Sequence, residues 1–459
     1  MDLRFYLALI VGKISAFVLK LKGSGATAAP GLYALSFDPN FVKKFSKQIT
    51  NGSIIICGTN GKTTTSRIIS DLLASKYKII HNRQGSNLLR GLASTFINNS
   101  SFLGKVDCSI ALWEIDEAVL PQIIKDTNPK TLVLLNLFRD QLDRYGEVDS
   151  IRKSWQTMLL TLPKTTQVIL NEDDPGIKYL EKFAGGKITT FGIEDKKVNL
   201  PKTTNVSDIK QCPNCSSKLI YTSIFFAHIG HYTCTSCSLK RTSPIISASN
   251  LIFERGFKTS MRLALNKQKL NLNLNIPGLY NVYNILAAGA VSYSENLDGK
   301  LTKTTLEQFS SAFGRYQKFN VSGKEIIVFL IKNPTGANEI LKTIYLQEKL
   351  NILVILNDKI ADGRDVSWIW DTNWEIISKK VSSIFISGSR SWDLANRLKY
   401  AGFKLSNKNV CKQINYSIRQ AIVSLNNKDT LIVLPTYTAL LETQKILSKL
   451  ARQEKWHQN

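Results

Sequence analysis

The stretch SIIICGTNGKTTTSRIISDLL, Ser53 to Leu73, constrains this chain more than any other. Its unbroken apolar run reads as a strand buried on both faces. Gly58 and Gly61 then break the chain, and a helical period begins at Lys62. A strand that meets a tight glycine turn and opens a helix is the context a phosphate loop needs. Backbone N–H groups of the turn and of the helix N-terminus point at phosphate oxygens. Glycines let the backbone come close, Lys62 supplies a point charge, and the Thr63 hydroxyl can ligate magnesium. Gly58, Thr59, Asn60, Gly61, Lys62, Thr63 and Thr64 are therefore the expected nucleotide contacts. The common G-x-x-x-x-G-K-[ST] form does not fit, because Ile56 stands at the first glycine position.

Around this motif, apolar runs alternate with helix-like segments. VDCSIALWEID, KTLVLLNLF and TQVILNEDDP are strand-like, each running into polar or acidic residues. Such alternation predicts a parallel sheet with crossover helices. The pattern breaks near Pro201. LALNKQKLNLNLNIPG then alternates like a hairpin, and NVYNILAAGAVSYS reads as a helix rich in small residues. A second alternating series starts near Glu325, with strands expected at Ile326–Ile331, Ile352–Leu356, Ile384–Ser387 and Leu431–Leu434. At 459 residues the chain has room for two or three domains. The expected organisation is an N-terminal segment, 1–50, and a central α/β domain, 51–318, interrupted by an insertion at 205–245. A C-terminal Rossmann-like α/β domain, 319–459, completes it.

A nucleotide site also needs carboxylates for a metal. LWEIDEA supplies Glu114, Asp116 and Glu117, and NLFRDQLDRYGE supplies Asn136, Asp140 and Asp143. In a parallel sheet both loops emerge at the carboxyl edge, beside the phosphate loop. Either alone reads equally as a solvated loop; with the phosphate loop they read as a magnesium–ATP site. CPNC and CTSC place Cys212, Cys215, Cys234 and Cys237 with eighteen residues between the pairs. That spacing suits four thiolates around one tetrahedral zinc, a closed and therefore structural site. His228 and His231 read as ordinary loop residues, since four cysteines fill the shell. Cys57, Cys108 and Cys411 are isolated, a reducing-compartment pattern and not a disulfide framework.

The net charge of +25 points to acidic partners: nucleic acid, anionic lipid or phosphorylated substrates. The lysines are spread along the whole chain, however, and a compositional bias on solvated faces is the competing reading of the excess. The start, MDLRFYLALIVGKISAFVLKLKG, is mostly apolar but interrupted by Lys13 and Lys20. Its unbroken run, Phe5 to Gly12, is too short to span a bilayer, and no small-residue cleavage site follows. A buried or interfacial helix is expected there.

Taken together these residues resemble a known family. GTNGKTTT is similar to the shortened phosphate loop of the Mur ligases and folylpolyglutamate synthases. NLFRDQLDRYGE resembles a later loop of theirs, with Gln141 where many members carry histidine. NEDDP (Asn171 to Pro175), PGLYNVYNILAA (Pro277 to Ala288) and FGRYQKF also match. Arg315 corresponds to the arginine that reaches the terminal phosphate, and Gln317 replaces the more usual glutamate. Only about fifty residues precede the phosphate loop, too few for the full nucleotide-sugar domain of the amino-acid-adding members. The four-cysteine insertion, KNPTGANEIL (Lys332 to Leu341) and NDKIADGRDVSWIWD (Asn357 to Asp371) narrow the resemblance to the synthetase subunits of lipid II isoglutaminyl synthase.

That resemblance implies an ATP-dependent amidation. The α-carboxylate of D-glutamate in the lipid II stem peptide becomes an acyl phosphate, and ammonia converts it to D-isoglutamine. ATP, Mg2+ and Zn2+ are the implied cofactors. Lys62, Arg315 and a magnesium held by Thr63 and Glu114 would neutralise the developing charge, with Asn284 among the nucleotide contacts. A glutaminase needs an activated cysteine with a histidine partner. Cys57 lies in the buried strand, Cys108 and Cys411 lack a glycine-flanked turn, and His81, His228, His231 and His457 form no obvious pair. The implied ammonia source is a GatD-type glutaminase bound as a heterodimer. An aspartate of ADGRDVSW would orient its catalytic histidine: Asp365 first, Asp362 second. The plainer reading of both is capping of helices around Trp368 and Trp370. HNRQGSNLLRG is either a surface loop or, through Arg83 or Arg90, a contact for substrate phosphates or muramyl groups. The implied location is the cytoplasm, with peripheral contact at the inner face of the membrane and no nucleic acid.

Rival readings use the same features differently. A nucleic-acid-dependent ATPase would also combine a zinc ribbon, a phosphate loop and a high pI, but no basic stripe with interleaved aromatics is present. A folylpolyglutamate-type ligase would carry neither the ribbon nor DGRDVSWIWD. A non-catalytic scaffold would not need intact Lys62 and Thr63.

Overall fold

The computed structural model describes residues 2–22, 27–83, 86–127, 129–138, 147–199, 209, 211–309, 316–426 and 429–457. Its apolar runs become β1 (Ser53–Cys57), β2 (Ile79–His81), β3 (Ile110–Ile115), β4 (Thr131–Leu134), β5 (Gln167–Asn171) and β6 (Ile188–Ile193). The ribbon β7 (Leu219–Phe226) and β8 (Ile229–Cys234) follows, then β9 (Ile246–Glu254), β10 (Lys258–Leu265) and β11 (Gln268–Leu274). The first sheet has the order β11-β10-β9-β6-β5-β4-β1-β3-β2. It is parallel from β2 to β9, and β9, β10 and β11 close it as an antiparallel meander. Because crossover helices cover both faces, β1, β3 and β4 are buried along their whole length.

Strand order decides where a site can form. From β1 the chain runs outward to β2, returns through β3, and crosses to β4 on the other side. The carboxyl ends of β1, β3 and β4 therefore meet at a switch point, where open α/β sheets bind ligands. The expected hairpin is β10–β11, and the helix rich in small residues is Leu279–Ser294.

The second sheet is built from β12 (Gln317–Val321), β13 (Lys324–Val328), β14 (Leu350–Ile355), β15 (Val381–Ser387), β16 (Val410–Cys411) and β17 (Thr430–Pro435). Its order is β12-β13-β17-β14-β15-β16, with β12 antiparallel and the rest parallel. The four expected strands are β13, β14, β15 and β17. β12 already belongs to this sheet, so it begins before the boundary expected at 319.

Residues of the N-terminal segment form helices Leu3–Leu21, Ala29–Phe37 and Phe41–Ser46, which pack on the central sheet. A chain of rings makes the join. Centroids of Phe5–Phe41, Phe41–Phe45, Phe45–Phe96 and Phe96–Trp113 lie 5.5, 4.9, 4.9 and 5.2 Å apart, ending on β3. Each such pair adds about 0.5–1.5 kcal/mol beyond the area it buries. No helix among the described residues is long and apolar enough to cross a membrane.

The β7–β8 ribbon has two different ends. Cys212, Leu219 and Cys234 belong to a small core of their own, whereas Phe225, Phe226 and Ile229 enter the core of the central sheet.

Candidate active site at the sheet switch point

The turn after β1 is possible only with glycine at two places. Gly58 has φ +142° and Gly61 φ +92°. A Cβ at Gly61 would stand 2.3 Å from Asn284 Oδ1, and one at Gly58 would lie 2.9 Å from the Asn136 backbone. The loop is wired to the end of β4. Asn60 N–H donates to Asn136 Oδ1 (2.9 Å), and Asn136 Nδ2 returns a bond to Asn60 O (2.9 Å). The Thr59 hydroxyl donates to Phe138 O and accepts from Phe138 N–H, both at 3.0 Å. The three threonines at the helix start have separate tasks. Thr63 donates to Glu114 Oε1 at 2.7 Å, Thr64 lines a cleft, and Thr65 donates to Asn284 Oδ1 at 3.2 Å. Among the described residues no side chain caps helix Lys62–Leu73, which leaves its first-turn N–H groups for an anionic ligand.

Lys62 is buried, and its ammonium donates to Glu117 Oε1 at 2.9 Å with Asp116 Oδ1 at 3.6 Å. Burial pushes its pKa down, but the charges of Glu117, Cys57 and Asp116 outweigh that and hold it above the usual lysine value. Burial raises the carboxyl of Asp116 despite the opposing pull of Lys62. Glu114, on β3, is positioned from HNRQGSNLLRG. Asn82 bonds the Glu114 backbone both ways at 2.9 Å, and Asn87 Nδ2 donates to Glu114 Oε1 at 3.0 Å. Sequence reasoning singled out the arginines of this segment and missed the asparagines. The structure places Arg83 against Ser70 (2.9 Å) and Asp71 (3.5 Å), further along the helix that the phosphate loop opens, and leaves Arg90 exposed.

His81 ends β2 with Nε2 buried and without a partner among the described residues, and Nδ1 accepts from Arg83 Nε at 3.4 Å. Burial, then Arg83 and Arg67, depress its pKa from 6.5 to about 3. The unfolded chain therefore binds a proton that the folded chain refuses between these values. Thermal stability is expected to fall as pH drops from 6.5 toward 3, and His81→Gln should flatten that slope in melting curves.

The cleft extends from the phosphate loop to the C-terminal domain. Asn60, Asn136, Phe226, Tyr283 and Asn284 face Leu330, Lys332, Asn333 and Glu339 across it. Asn333 Nδ2 donates to Asn60 Oδ1 at 3.2 Å, while Asn60 Nδ2 is buried with no partner among the described residues. Phe226 comes from the ribbon, a contribution to the site that no motif announced. Arg315, Asp140, Gln141 and Asp143 lie outside the described residues.

NEDDP fastens the sheet to the ribbon. Asp173 accepts from Ile193 N–H (2.7 Å), Tyr283 hydroxyl (2.7 Å) and Arg241 Nε (3.0 Å). The reading of His228 and His231 as ordinary loop residues needs correcting. His228 is fully buried, with Nε2 3.4 Å from Asp174 Oδ2, and His231 lies on β8 with Nε2 2.8 Å from Ile193 O. Burying the ribbon's base against the sheet makes both part of the join.

At the ribbon's other end, the sulfurs of Cys212, Cys215, Cys234 and Cys237 all lie within 4.8 Å of one another, and none is in a disulfide. N–H groups of Asn214 and Ser236 point at Cys212 Sγ and Cys234 Sγ, each at 3.4 Å. Four thiols gathered around one point, with N–H donors that stabilise thiolates, fit a tetrahedral zinc.

ADGRDVSW lies beyond the carboxyl end of β14. Asp362 accepts from the backbone N–H (2.7 Å) and the hydroxyl of Thr438, at the start of helix Tyr437–His457. Asp365 accepts from Ser367 N–H (2.7 Å) and Oγ (2.8 Å), where the short helix Ser367–Trp370 begins.

Comparison with known proteins agrees with this geometry. Residues 56–229 match the Mur ligase middle domain, and residues 330–440 match the MurT ligase C-terminal family. The chain is 34% identical over 442 residues to the MurT subunit of lipid II isoglutaminyl synthase (glutamine-hydrolyzing) of Staphylococcus aureus (strain COL), covering 95% of this chain and 96% of that protein. It is 32% identical over 453 residues to the MurT subunit of Streptococcus pneumoniae (strain ATCC BAA-255 / R6), covering 98% of each. Among solved structures, a pseudomurein peptide ligase type C from Methanothermus fervidus superposes with a TM-score of 0.67 at 21% identity, over 90% of this chain and 81% of that one. MurF ligase from Thermotoga maritima in complex with ADP gives 0.64 at 11% identity, over 92% and 85%. The chain belongs to the Mur ligase family, within its group of MurT subunits of lipid II isoglutaminyl synthase.

Proposed function

We propose that the chain is the synthetase subunit that activates the D-glutamate α-carboxylate of the lipid II stem peptide for amidation. The observation that carries this reading is the cradle itself. An uncapped helix N-terminus, two glycines that bring the backbone close, and buried Lys62 converge beside the Thr63–Glu114 pair. Asn60 adds a buried donor with no acceptor among the described residues. These groups fit a nucleoside triphosphate, which supplies the phosphoryl group. Thr63 and Glu114 would hold a magnesium, which offsets phosphate charge when bound. The four cysteines would hold zinc with no open position, a structural role.

A carboxylate does not react with ammonia, because its leaving group would be oxide. Attack of a carboxylate oxygen on the γ-phosphorus breaks the bond to ADP and leaves an acyl phosphate. Ammonia then attacks the acyl carbon, phosphate departs, and a proton is released. The protein's share in the first step is positioning and charge stabilisation, which Lys62 and the loop N–H groups provide. Arg315, by the family resemblance, would join them.

The glutamine-hydrolysing activity belongs to a partner in this reading, a GatD-type glutaminase. Cys57 is fully buried in β1, and burial raises its thiol; burial pushes Cys108 up to about 11. Neither is a poised nucleophile. We assign Asp365, with Asp362 as the second choice, to orient the partner's histidine. Asp365→Asn is expected to lower glutamine-dependent amidation by about 10³–10⁴-fold while amidation with free ammonia persists. Asp362→Asn should mainly lower the melting temperature, since Asp362 caps helix Tyr437–His457. Equal loss with both nitrogen donors would show that Asp365 serves only the fold.

The whole reading is tested by following ADP and amide product with lipid II, glutamine and the partner, each omitted in turn. Full turnover should need all three. Turnover triggered by DNA, with no response to lipid II, would overturn it.

A further inference from the structure

A surface helix normally turns polar side chains to water. Helix Leu3–Leu21 does not. Phe5, Ala8, Leu9, Gly12 and Ala16 are buried where it packs on helices Ala29–Phe37 and Leu89–Asn99. On the other side Leu3, Leu7, Ile10, Ile14, Phe17 and Leu21 recur at alternating steps of four and three residues, which makes one stripe. Their exposures are 72, 44, 51, 59, 65 and 73%. The loop after helix Leu89–Asn99 adds Phe102 and Leu103, 83% and 72% exposed. That loop is tied to the helix. Lys13 Nζ donates to Ile97 O (2.9 Å) and Ser100 O (2.7 Å) and sits 5.1 Å from the Phe102 ring centroid.

Contiguous apolar exposure of this extent marks a surface with a partner. Charge says which kind. At the helical turn angle, Lys13 and Lys20 fall on one flank of the stripe and Arg4 and Lys22 on the other. The nearby acids are already engaged: Lys44 pairs with Asp2 at 2.5 Å and Asp38 at 2.6 Å. Lys13 is held by the loop carbonyls, so the cations left to meet phosphates are Lys20 on one flank and Arg4 and Lys22 on the other. An apolar stripe so flanked matches a helix lying in a lipid interface. No described helix can cross the membrane, so contact would be one-sided.

We infer that this face docks on an anionic bilayer, with helix Leu3–Leu21 lying in the interface and the Phe102–Leu103 tip inserted beside it. The inference goes beyond the amidation reading and stands without it.

The test is flotation of the full chain, with its partner, on phosphatidylglycerol-containing vesicles and on pure phosphatidylcholine vesicles. Binding should favour the anionic vesicles and weaken as salt rises. Ile14→Glu/Phe17→Glu and Phe102→Ser/Leu103→Ser change only exposed positions. Each pair should lower binding about tenfold or more, with an unchanged melting temperature. No flotation on anionic vesicles overturns the inference, as does flotation that neither variant pair weakens. Equal binding to both vesicle types overturns the assignment to anionic lipid. A parent dimer that Ile14→Glu/Phe17→Glu dissolves, without vesicle binding, would make a second copy the occupant and also overturn it.

Discussion

Replacing Lys62 with alanine is expected to slow ADP release and amide formation about 10²–10³-fold, the usual cost of losing one preorganised charge stabiliser. The loss should appear with ammonia as well as with glutamine, because Lys62 acts on the phosphoryl step. A second effect must be separated from it. The ammonium is held by Glu117 and Asp116, and its removal leaves both acids without their cation in a partly buried site. Breaking a buried pair from one side costs about 3–5 kcal/mol, and residual exposure here puts the cost below that range. Lys62→Ala/Glu117→Gln removes the stranded charge. It should recover much of the melting temperature and none of the rate. The pH dependence has a definite sign. The raised pKa of Lys62 means that the pair contributes fully below the ordinary lysine value of 10.5 and is lost only as pH rises through the folded value. The rate deficit should therefore be flat across neutral pH. Amide formation at the parent speed in a folded Lys62→Ala protein would sink the proposed mechanism.

Removing a thiol from the four-cysteine site, and with it the zinc that site would hold, should have the largest effect on the fold. Cys234→Ser takes one thiol from a cluster whose sulfurs lie within 4.8 Å of each other. A structural zinc contributes on the order of 10 kcal/mol to the folding of the unit that holds it. Elemental analysis should fall from one zinc per chain toward none. The damage should not stay local. Phe225, Phe226 and Ile229 sit in the central core, and Phe226 lines the same cleft as Asn60. Loss of ribbon order is therefore expected to raise the KM for ATP as well as lower the melting temperature. A protein that holds no zinc in its parent form, or whose Cys234→Ser variant melts and binds nucleotide unchanged, would refute this.

Local chemistry was legible in the sequence where it depends on neighbours along the chain. The phosphate loop could be read because a buried run, two glycines and a lysine are contiguous, and the structure joins them as strand, turn and helix. The cysteine cluster could be read because ligand spacing within each pair is a local constraint. The apolar stripe of helix Leu3–Leu21 was legible only in part. Lys13 and Lys20 break the run, and a linear reading does not show that they sit beside the stripe.

Other features were hidden because they depend on which strands become neighbours. Asn82 and Asn87 look like residues of an ordinary polar loop until β2 is laid beside β3 and brings them to Glu114. β12 and β16 are short edge strands, where pairing and not apolar content decides the structure. His228 read as a loop residue because nothing in CPNC or CTSC says that the ribbon's base is buried against Asp174.

From sequence alone came the parts whose physics is short-range: the phosphate-loop turn, the thiolate set, the alternation that makes two α/β units, and the motifs that carry the family. Only the tertiary structure decided that Glu114 meets Thr63, Glu117 meets Lys62 and Asn136 meets Asn60, that the ribbon lends Phe226 to the cleft, and that Asn333 closes it from the second domain. The reason is the same throughout. Hydrogen bonds and burial act over a few ångströms in space, and strand order, set by the whole core at once, determines which distant residues fall within that reach.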